Sequence, residues 1–135
     1  MTTVLDSWAL MAFFRGEPAA EDVERLLHQA ETEGDGLLLT AVNWGEIYYC
    51  YCRTESKEAA EDISLRIAEM PIRIMPISDD LVLVRQAAWF KARNRISYAD
   101  CFAAALAKLT AGILVTGDKE FRPLEKELKI HWLAS

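Results

Sequence analysis

Histidine and cysteine are scarce in this chain. Of its 135 residues, two are histidines, His28 and His131, and three are cysteines. Two histidines leave almost no material for a histidine-rich zinc site or a Ser-His-Asp triad. The odd number of cysteines, with Cys50 and Cys52 two positions apart on a predicted helix and so on different faces, favours reduced and packed thiols. Any chemistry must therefore be carried by carboxylates.

Long apolar runs are also absent. No window approaches the roughly 18 apolar residues of a membrane span, and residues 1–6 contain no basic region that leads into an apolar stretch. We therefore expect a cytoplasmic protein without a membrane segment. The length and the 52% hydrophobic content are sufficient for one core, and we predict a single domain over residues 1–135.

Positive charge is in deficit. The 15 lysines and arginines stand against 21 aspartates and glutamates, which gives a formal net charge of −6. A protein that holds nucleic acid mainly through a broad basic surface usually has the opposite balance, so the composition argues against that class. It leaves open an enzyme whose clustered acids hold a metal ion while a few cations guide phosphates.

Apolar strand-like runs alternate with helical patterns along the chain. Strands are predicted at 2–5, 37–39, 73–77, 113–116 and 130–133, and helices at 7–14, 19–33, 40–53, 56–70, 78–91 and 97–109. This order predicts an α/β fold whose mostly parallel sheet is covered by helices on both faces and connected by right-handed crossovers. Ligands of such sheets bind at the carboxyl ends of the strands.

Four acids fall at that edge or close to it. Asp6 follows the first strand, Glu46 lies in the helix after the second, Asp100 lies in the first turn of a helix, and Asp118 follows the fourth strand. Each also has a local explanation. Asp100 could complete a capping box with Ser97, Asp118 could be a turn residue, Asp6 could be an N-cap, and Glu46 could be an exposed helical acid.

A shared cation explains all four acids together. Two carboxylates about 5 Å apart repel by roughly 1 kcal/mol in water and by about 3 kcal/mol at an effective dielectric constant of 20. Mg²⁺ or Mn²⁺ fits ligation by oxygen alone and leaves positions open for a phosphate oxygen and a water. This pattern predicts the hydrolysis of phosphodiester bonds.

Four short segments in this order and spacing resemble the PIN domain family, and within it the VapC-type toxins of bacterial and archaeal toxin–antitoxin pairs. They are Val4-Leu5-Asp6-Ser7, the run from Thr40 to Glu46, Ser97-Tyr98-Ala99-Asp100, and Val115-Thr116-Gly117-Asp118-Lys119-Glu120-Phe121. The resemblance covers the whole chain. It implies a PIN-like three-layer α/β/α sandwich and a Mg²⁺-dependent endoribonuclease, with Mn²⁺ as a substitute.

The resemblance also implies roles for particular residues and partners. The acids Asp6, Glu46, Asp100 and Asp118 would be catalytic, with Asp6, Asp100 and Asp118 on the metal. Side chains that support them would be Ser7, Asn43 and Thr116. The expected partners are an RNA substrate, a cognate antitoxin protein and a second copy in a homodimer. Glu120 is a further acid in the last segment that this prediction leaves out.

Two surface regions each have two possible interpretations. The basic run Lys91, Arg93 and Arg95 could hold RNA phosphates, or it could be a solvated helix end whose cations suit the helix dipole. Four rings on the third helix are too many to bury on one face, which predicts an apolar patch for the antitoxin unless the next helix covers it. Those rings are Trp44, Tyr48, Tyr49 and Tyr51.

Other classes that use acids fit less well. A haloacid-dehalogenase-like phosphatase would have a second aspartate where Trp8 stands, a receiver-like domain would have an acidic pair where Ser7 follows Asp6, and no GxxxxGK[ST] loop is present. The alternative that remains is a catalytically inactive PIN-like module that binds RNA or protein and retains the acids as caps.

Overall fold

The computed structural model describes residues 1–135 as alternating strands and helices. The strands are β1 (Thr3–Leu5), β2 (Leu37–Thr40), β3 (Ile72–Met75), β4 (Ile113–Thr116) and β5 (Lys129–Trp132). The helices are α1 (Ser7–Phe14), α2 (Ala20–Glu33), α3 (Ala41–Thr54), α4 (Lys57–Ala68), α5 (Val82–Arg93) and α6 (Tyr98–Leu109), followed after β4 by a 3-10 helix (Lys119–Leu124). The order confirms the predicted α/β class.

All five strands are parallel and lie in the order β3-β2-β1-β4-β5. In the centre of the sheet, Val4 of β1 is in register with Leu38 on one side and with Leu114 on the other. The chain builds outward from β1 to β3 on one side and then from β4 to β5 on the other. The strand order therefore reverses between β1 and β4, where parallel sheets leave a crevice at their carboxyl ends.

The sheet is buried on both faces. Leu5 and Val115 belong to a core cluster shared with α1, α2, α3 and α4, whereas Val4 and Leu114 belong to a second cluster shared with α5 and α6. Neighbouring residues of one strand thus point into different layers, as the two-residue period of a strand requires. This arrangement confirms the predicted three-layer α/β/α sandwich.

The largest departure from the predicted boundaries precedes α5. The helix was expected after Ser78, but its first residue is Val82. The Ser78 hydroxyl donates to Asp80, whose carboxylate accepts the Val82 amide at 3.1 Å. Leu81 between them has a left-handed φ of 60°. The acid two residues further along thus holds the helix start, and the strand before it, predicted at 73–77, ends at Met75.

In the turn between α6 and β4, the residue with left-handed backbone is not the glycine. The left-handed residue is Ala111, with a φ of 52°. Gly112 is required for a different reason, because a Cβ atom there would lie 2.5 Å from the Thr2 carbonyl oxygen. The glycine therefore allows β4 to start against the N-terminal segment. None of the helices is both long enough and apolar enough to cross a lipid bilayer.

Candidate metal centre at the carboxyl edge of the sheet

Two of the four predicted acids lie at the reversal of strand order. Asp6 follows β1 and Asp118 is separated from the end of β4 by one residue, Gly117. Asp6 is fully buried and is the N-cap of α1, since its Oδ1 accepts the Ala9 amide at 2.8 Å. Asp118 caps the 3-10 helix by accepting the Glu120 amide at 3.0 Å. The local explanations for these two acids are therefore true, and they do not compete with a site.

The Thr116 hydroxyl joins these two acids. It donates to Oδ2 of Asp6 and accepts the backbone amide of Asp118 at 3.0 Å. Thr116 is fully buried at the end of β4, so the bond is shielded from water. One hydroxyl thus fixes the carboxylate after β1 against the loop after β4.

A second buried side chain places the start of α6. Asn43, near the start of α3, donates from Nδ2 to the carbonyl oxygen of Ala99 at 3.1 Å and accepts the Thr40 hydroxyl. Ala99 directly precedes Asp100, and Ser97 caps α6 by accepting the Asp100 amide at 3.2 Å. These contacts hold Asp100 over the same crevice.

Glu46 reaches the site from the flank of α3. The Ser7 hydroxyl donates to its Oε1, which links the first turn of α1 to the middle of α3. The Glu46 charge contributes to the raised pKa of Asp100, so the two carboxylates lie within electrostatic reach. The structure therefore brings Asp6, Glu46, Asp100 and Asp118 to one edge.

A fifth acid completes the cluster, and the sequence prediction left it out. One carboxylate oxygen from each of Asp100, Asp118 and Glu120 lies within 4.8 Å of the others. Glu120 enters because the 3-10 helix after Asp118 turns its side chain back over the strand end. The signal was present in the sequence as an acid two residues after Asp118, but such spacing is common in exposed turns.

The two buried carboxylates of this crevice, Asp6 and Asp100, have raised pKa values in the metal-free protein. Burial raises the pKa of Asp6 from 3.8 to about 8, against the hydrogen bonds from Thr116 and Ala9, and the charges of Asp100 and Asp118 raise it further. Removing a carboxylate from water penalises its charged form, and neighbouring negative charges add to the penalty. Asp6 is therefore protonated at neutral pH until a cation compensates its charge.

The pKa of Asp100 is also raised. Burial raises its pKa from 3.8 to about 7, the hydrogen bond from Ser97 lowers it, and the charges of Asp118, Glu46 and Glu120 raise it. Its relative exposure is 7%, compared with 0% for Asp6. Buried acids whose charged form is penalised, next to a cluster that offers only oxygen donors, fit a hard divalent cation such as Mg²⁺ or Mn²⁺.

The loop before Asp118 packs tightly against Trp8 of α1. A Cβ atom at Gly117 would lie 2.2 Å from the indole ring of Trp8. Glycine is needed here so that the loop before Asp118 can lie against the ring. The Trp8 ring is distant along the chain, so no local sequence pattern reveals this contact.

The predicted basic run is less uniform than its sequence suggests. The Lys91 ammonium donates to the Ile96 carbonyl at 2.8 Å. Arg93 pairs with Glu127 at 3.4 Å, and its Cζ lies 5.3 Å from the ring centroid of Trp89. Only Arg95 is exposed without such a contact. The three residues therefore do not form one free cationic surface.

The rings of α3 are divided between the core and the surface. Tyr51 is buried, with 4% exposure, whereas Tyr49 is 47% exposed. Trp44 and Tyr48 are stacked at 5.4 Å, and the Tyr48 hydroxyl donates to Glu61 of α4. Two half-buried rings of α3 and two of α1 pack against the same core cluster, and we call these four the aromatic patch: Trp44, Tyr48, Phe13 and Phe14. Of the four rings predicted to form a patch, only Tyr49 is exposed, Trp44 and Tyr48 are half-buried, and Tyr51 is buried.

The fold and the edge together define an α/β domain with an all-carboxylate site suited to a divalent cation. The sequence model of the PIN domain matches residues 3–127, and the chain belongs to this family. No curated protein sequence matches the chain.

Solved structures similar to this chain include components of VapBC complexes. VapBC2 from Rickettsia felis, bound to a DNA fragment from its promoter, matches with a TM-score of 0.73 and 16% identity over 99% of this chain and 100% of that chain. VapBC-1 from nontypeable Haemophilus influenzae matches with a TM-score of 0.70 and 20% identity over 98% of both chains. The sarcin-ricin-loop-cleaving toxin VapC20 from Mycobacterium tuberculosis matches with a TM-score of 0.68 and 16% identity over 90% and 94%.

Proposed function

We propose that this protein is a metal-dependent endoribonuclease and the toxin of a toxin–antitoxin pair, acting in the cytoplasm as one domain. The observation that carries the proposal is the convergence of the three carboxylate oxygens of Asp100, Asp118 and Glu120 within 4.8 Å at the carboxyl edge of a PIN fold. Two fully or nearly buried acids with raised pKa values, Asp6 and Asp100, lie at the same edge.

The proposed metal ligands are Asp6, Asp100 and Asp118, with Glu120 added from the geometry. Asp6 already accepts two hydrogen bonds, but a carboxylate has about four lone-pair sites, so it can still bind a cation. A bound Mg²⁺ or Mn²⁺ would stabilise charge on the phosphoryl oxygens and acidify a coordinated water.

The other side chains hold this geometry and move the proton. Glu46, which accepts a hydrogen bond from the Ser7 hydroxyl, would accept a proton from the attacking water. Thr116 holds Asp6 against the Asp118 loop, and Asn43 holds the start of α6. From the basic run we retain Lys91, Arg93 and Arg95 as phosphate contacts, with Arg95 as the most available and the other two restrained by internal contacts.

Metal-dependent cleavage of RNA tests the proposal directly. Purified protein incubated with total bacterial RNA is expected to produce discrete fragments with Mg²⁺ or Mn²⁺ and none with EDTA. Sequencing of the new RNA ends after brief expression would define the cleaved sites. A protein that binds RNA equally well with and without metal, and leaves it intact, would contradict the nuclease and favour the inactive PIN-like binding module.

The aromatic patch is the proposed binding site for a segment of the antitoxin. We expect the double variant Trp44→Asp with Tyr48→Asp to recover at least about 30-fold less of the small protein encoded beside its own gene, because buried aromatic anchors each contribute about 2 kcal/mol at interfaces. Co-purification after co-expression measures this loss. Tyr51 is unsuitable for the experiment because it is buried in the core.

The matched control for this experiment is Leu65→Asp on α4, where the side chain is 64% exposed. Circular dichroism would establish that each variant is folded. Equal recovery by the folded double variant and by Leu65→Asp would exclude the aromatic patch as the antitoxin surface, and it would leave the nuclease proposal intact. Size-exclusion chromatography of the free protein tests the expected homodimer.

A further inference from the structure

One exposed stripe of α3 runs from the acidic site outward. Glu46, Tyr49 and Arg53 occupy positions i, i+3 and i+7, so they share one helix face. Glu46 is tied to the site by Ser7. The sequence pattern placed Tyr49 among the rings of a predicted antitoxin patch and gave Arg53 no role, and both residues are exposed in the structure.

Tyr49 and Arg53 form a stacked pair. The Cζ atom of Arg53 lies 5.2 Å from the centroid of the Tyr49 ring, and the ring is 47% exposed. The guanidinium covers part of the ring and leaves the rest of the aromatic surface open. A planar cation beside an open ring suits a nucleobase and a neighbouring phosphate, because the base can stack while the guanidinium pairs with oxygen.

The pair also lies within the field of the carboxylates. The charge of Glu46 is the largest cause of the raised pKa of the Tyr49 phenol, Asp100 contributes in the same direction, and Arg53 opposes them. The pKa of the neighbouring Cys50 thiol is raised by burial and by Glu46, and the charges of Arg15 and Arg53 oppose this shift. The acidic edge is thus bordered by cations on the α3 side, which is where a polyanion could approach without facing only negative charge.

We infer that Tyr49 and Arg53 form a platform for single-stranded RNA, on which an unpaired base next to the scissile phosphodiester stacks and a further phosphate binds. This inference rests on the proposed nuclease function and assigns two residues outside the carboxylate cluster to the binding of its substrate. Seven residues of helix separate Glu46 and Arg53 by about 10 Å along the axis. At roughly 3.4 Å per stacked nucleotide, Arg53 would contact a phosphate about three nucleotides from the cleaved bond.

The platform selects against base-paired RNA. Both faces of a base in a duplex are covered by its neighbours, so only an unpaired base can stack on an exposed ring. Stacking is tolerant of sequence because every base has an aromatic face. Tyr49 would therefore require an unpaired nucleotide at the site without dictating which nucleotide it is.

The chain contains a matched control for the platform. Trp89 and Arg93 of α5 form the same kind of pair, four residues apart on a helix, with 5.3 Å between Cζ and the ring and 59% exposure of the ring. Arg93 is one of the proposed phosphate contacts and pairs with Glu127, so the control variant leaves Arg93 in place and removes only the Trp89 ring, which has no proposed role. Trp89→Ala thus removes an exposed ring from an equivalent pair on another helix.

The experiment measures RNA affinity without cleavage. All variants carry Asp100→Asn so that the probes survive in Mg²⁺ buffer, and the probes are short oligoadenylate and oligouridylate strands and their duplex with each other. Tyr49→Ala is expected to weaken binding of the single strands by about 10-fold or more, whereas Tyr49→Phe retains it. Arg53→Ala should lower the slope of log affinity against log salt by about 0.7. Trp89→Ala should change neither quantity.

The outcomes separate this inference from the proposed function. Metal-dependent cleavage of total RNA by otherwise wild-type protein, combined with equal single-strand affinities of Tyr49→Ala and Trp89→Ala, would overturn the platform and leave the nuclease standing. Loss of affinity in Tyr49→Ala together with an absence of cleavage would support the platform in a binding module. Tighter binding of the duplex than of the single strands, or loss of antitoxin rather than RNA in Tyr49→Ala, would overturn the platform. A protein that neither binds nor cleaves RNA would overturn both.

Discussion

Replacing Asp100 by asparagine is expected to lower the rate of RNA cleavage by at least about 100-fold while the protein remains folded. Asp100 contributes an oxygen to the three-carboxylate cluster and is held over it by the start of α6. Asparagine preserves the shape of the side chain but removes the charge that binds a cation. Because burial already penalises that charge in the metal-free protein, its removal should not destabilise the fold.

Asp6→Asn and Glu46→Gln are expected to reduce cleavage to a similar extent. An asparagine oxygen can still accept the Ala9 amide as the N-cap of α1, so the helix start should survive in Asp6→Asn. Initial rates of fragment formation at saturating Mg²⁺ measure the losses, with thermal midpoints as the test of folding. Asp22→Asn is the control, since Asp22 pairs with Arg25 and His131 on α2 and β5. Folded acid variants that cleave as fast as Asp22→Asn would remove the carboxylates from the mechanism.

The sequence predicted the edge of the sheet at which the acids meet because two simple rules act there. Buried strands appear as short apolar runs, and parallel strands present their carboxyl ends at one edge. Asp6 and Asp118 follow such runs, so their approach was predictable without knowing a single distance. Their roles as caps did not conflict with the site, since one carboxylate can accept an amide and still face a crevice.

Other features depend on tertiary structure that a local pattern does not reveal. Glu120 joins the cluster only because of the path of the 3-10 helix. Helix α5 begins at Val82 and not directly after Ser78, because Asp80 is the residue whose carboxylate accepts the Val82 amide. The division of the α3 rings, with Tyr51 buried and Tyr49 exposed, depends on where α1 and α4 lie against that helix.

In the metal-free protein, stability is expected to fall as pH rises from 5 to 8. The folded-state pKa values of Asp6 and Asp100 are raised from 3.8 to about 8 and about 7, so across this window the folded state holds more protons than the unfolded state. The free energy of unfolding therefore decreases with pH, by up to about 1.4 kcal/mol per pH unit for each group while the group titrates. The contribution of these two protonated acids to the free energy of unfolding is fully present below about pH 4 and is lost above about pH 8.

The other groups with shifted pKa values titrate outside the range from pH 5 to 8. The pKa of Asp80 is lowered from 3.8 by bonds from Val82 and Ser78, so its contribution is lost only below that value. The pKa values of the shifted tyrosines and cysteines are raised from 10.0 and 9.0, so they titrate at higher pH. The decline between pH 5 and 8 should therefore come largely from the acidic edge, and Asp6→Asn and Asp100→Asn should each flatten it.

Millimolar Mg²⁺ or Mn²⁺ is expected to reverse the decline. A cation stabilises the ionised carboxylates of the folded state and displaces their protons, so the gain in thermal midpoint should be large at pH 8 and small at pH 5. Thermal denaturation across this range, with metal and with EDTA, measures the effect for the wild type and for Asp100→Asn. The variant should lose most of the gain at pH 8. Midpoints at pH 8 that do not respond to either metal in the wild type would contradict a shared cation at this edge, whatever the protein does to RNA.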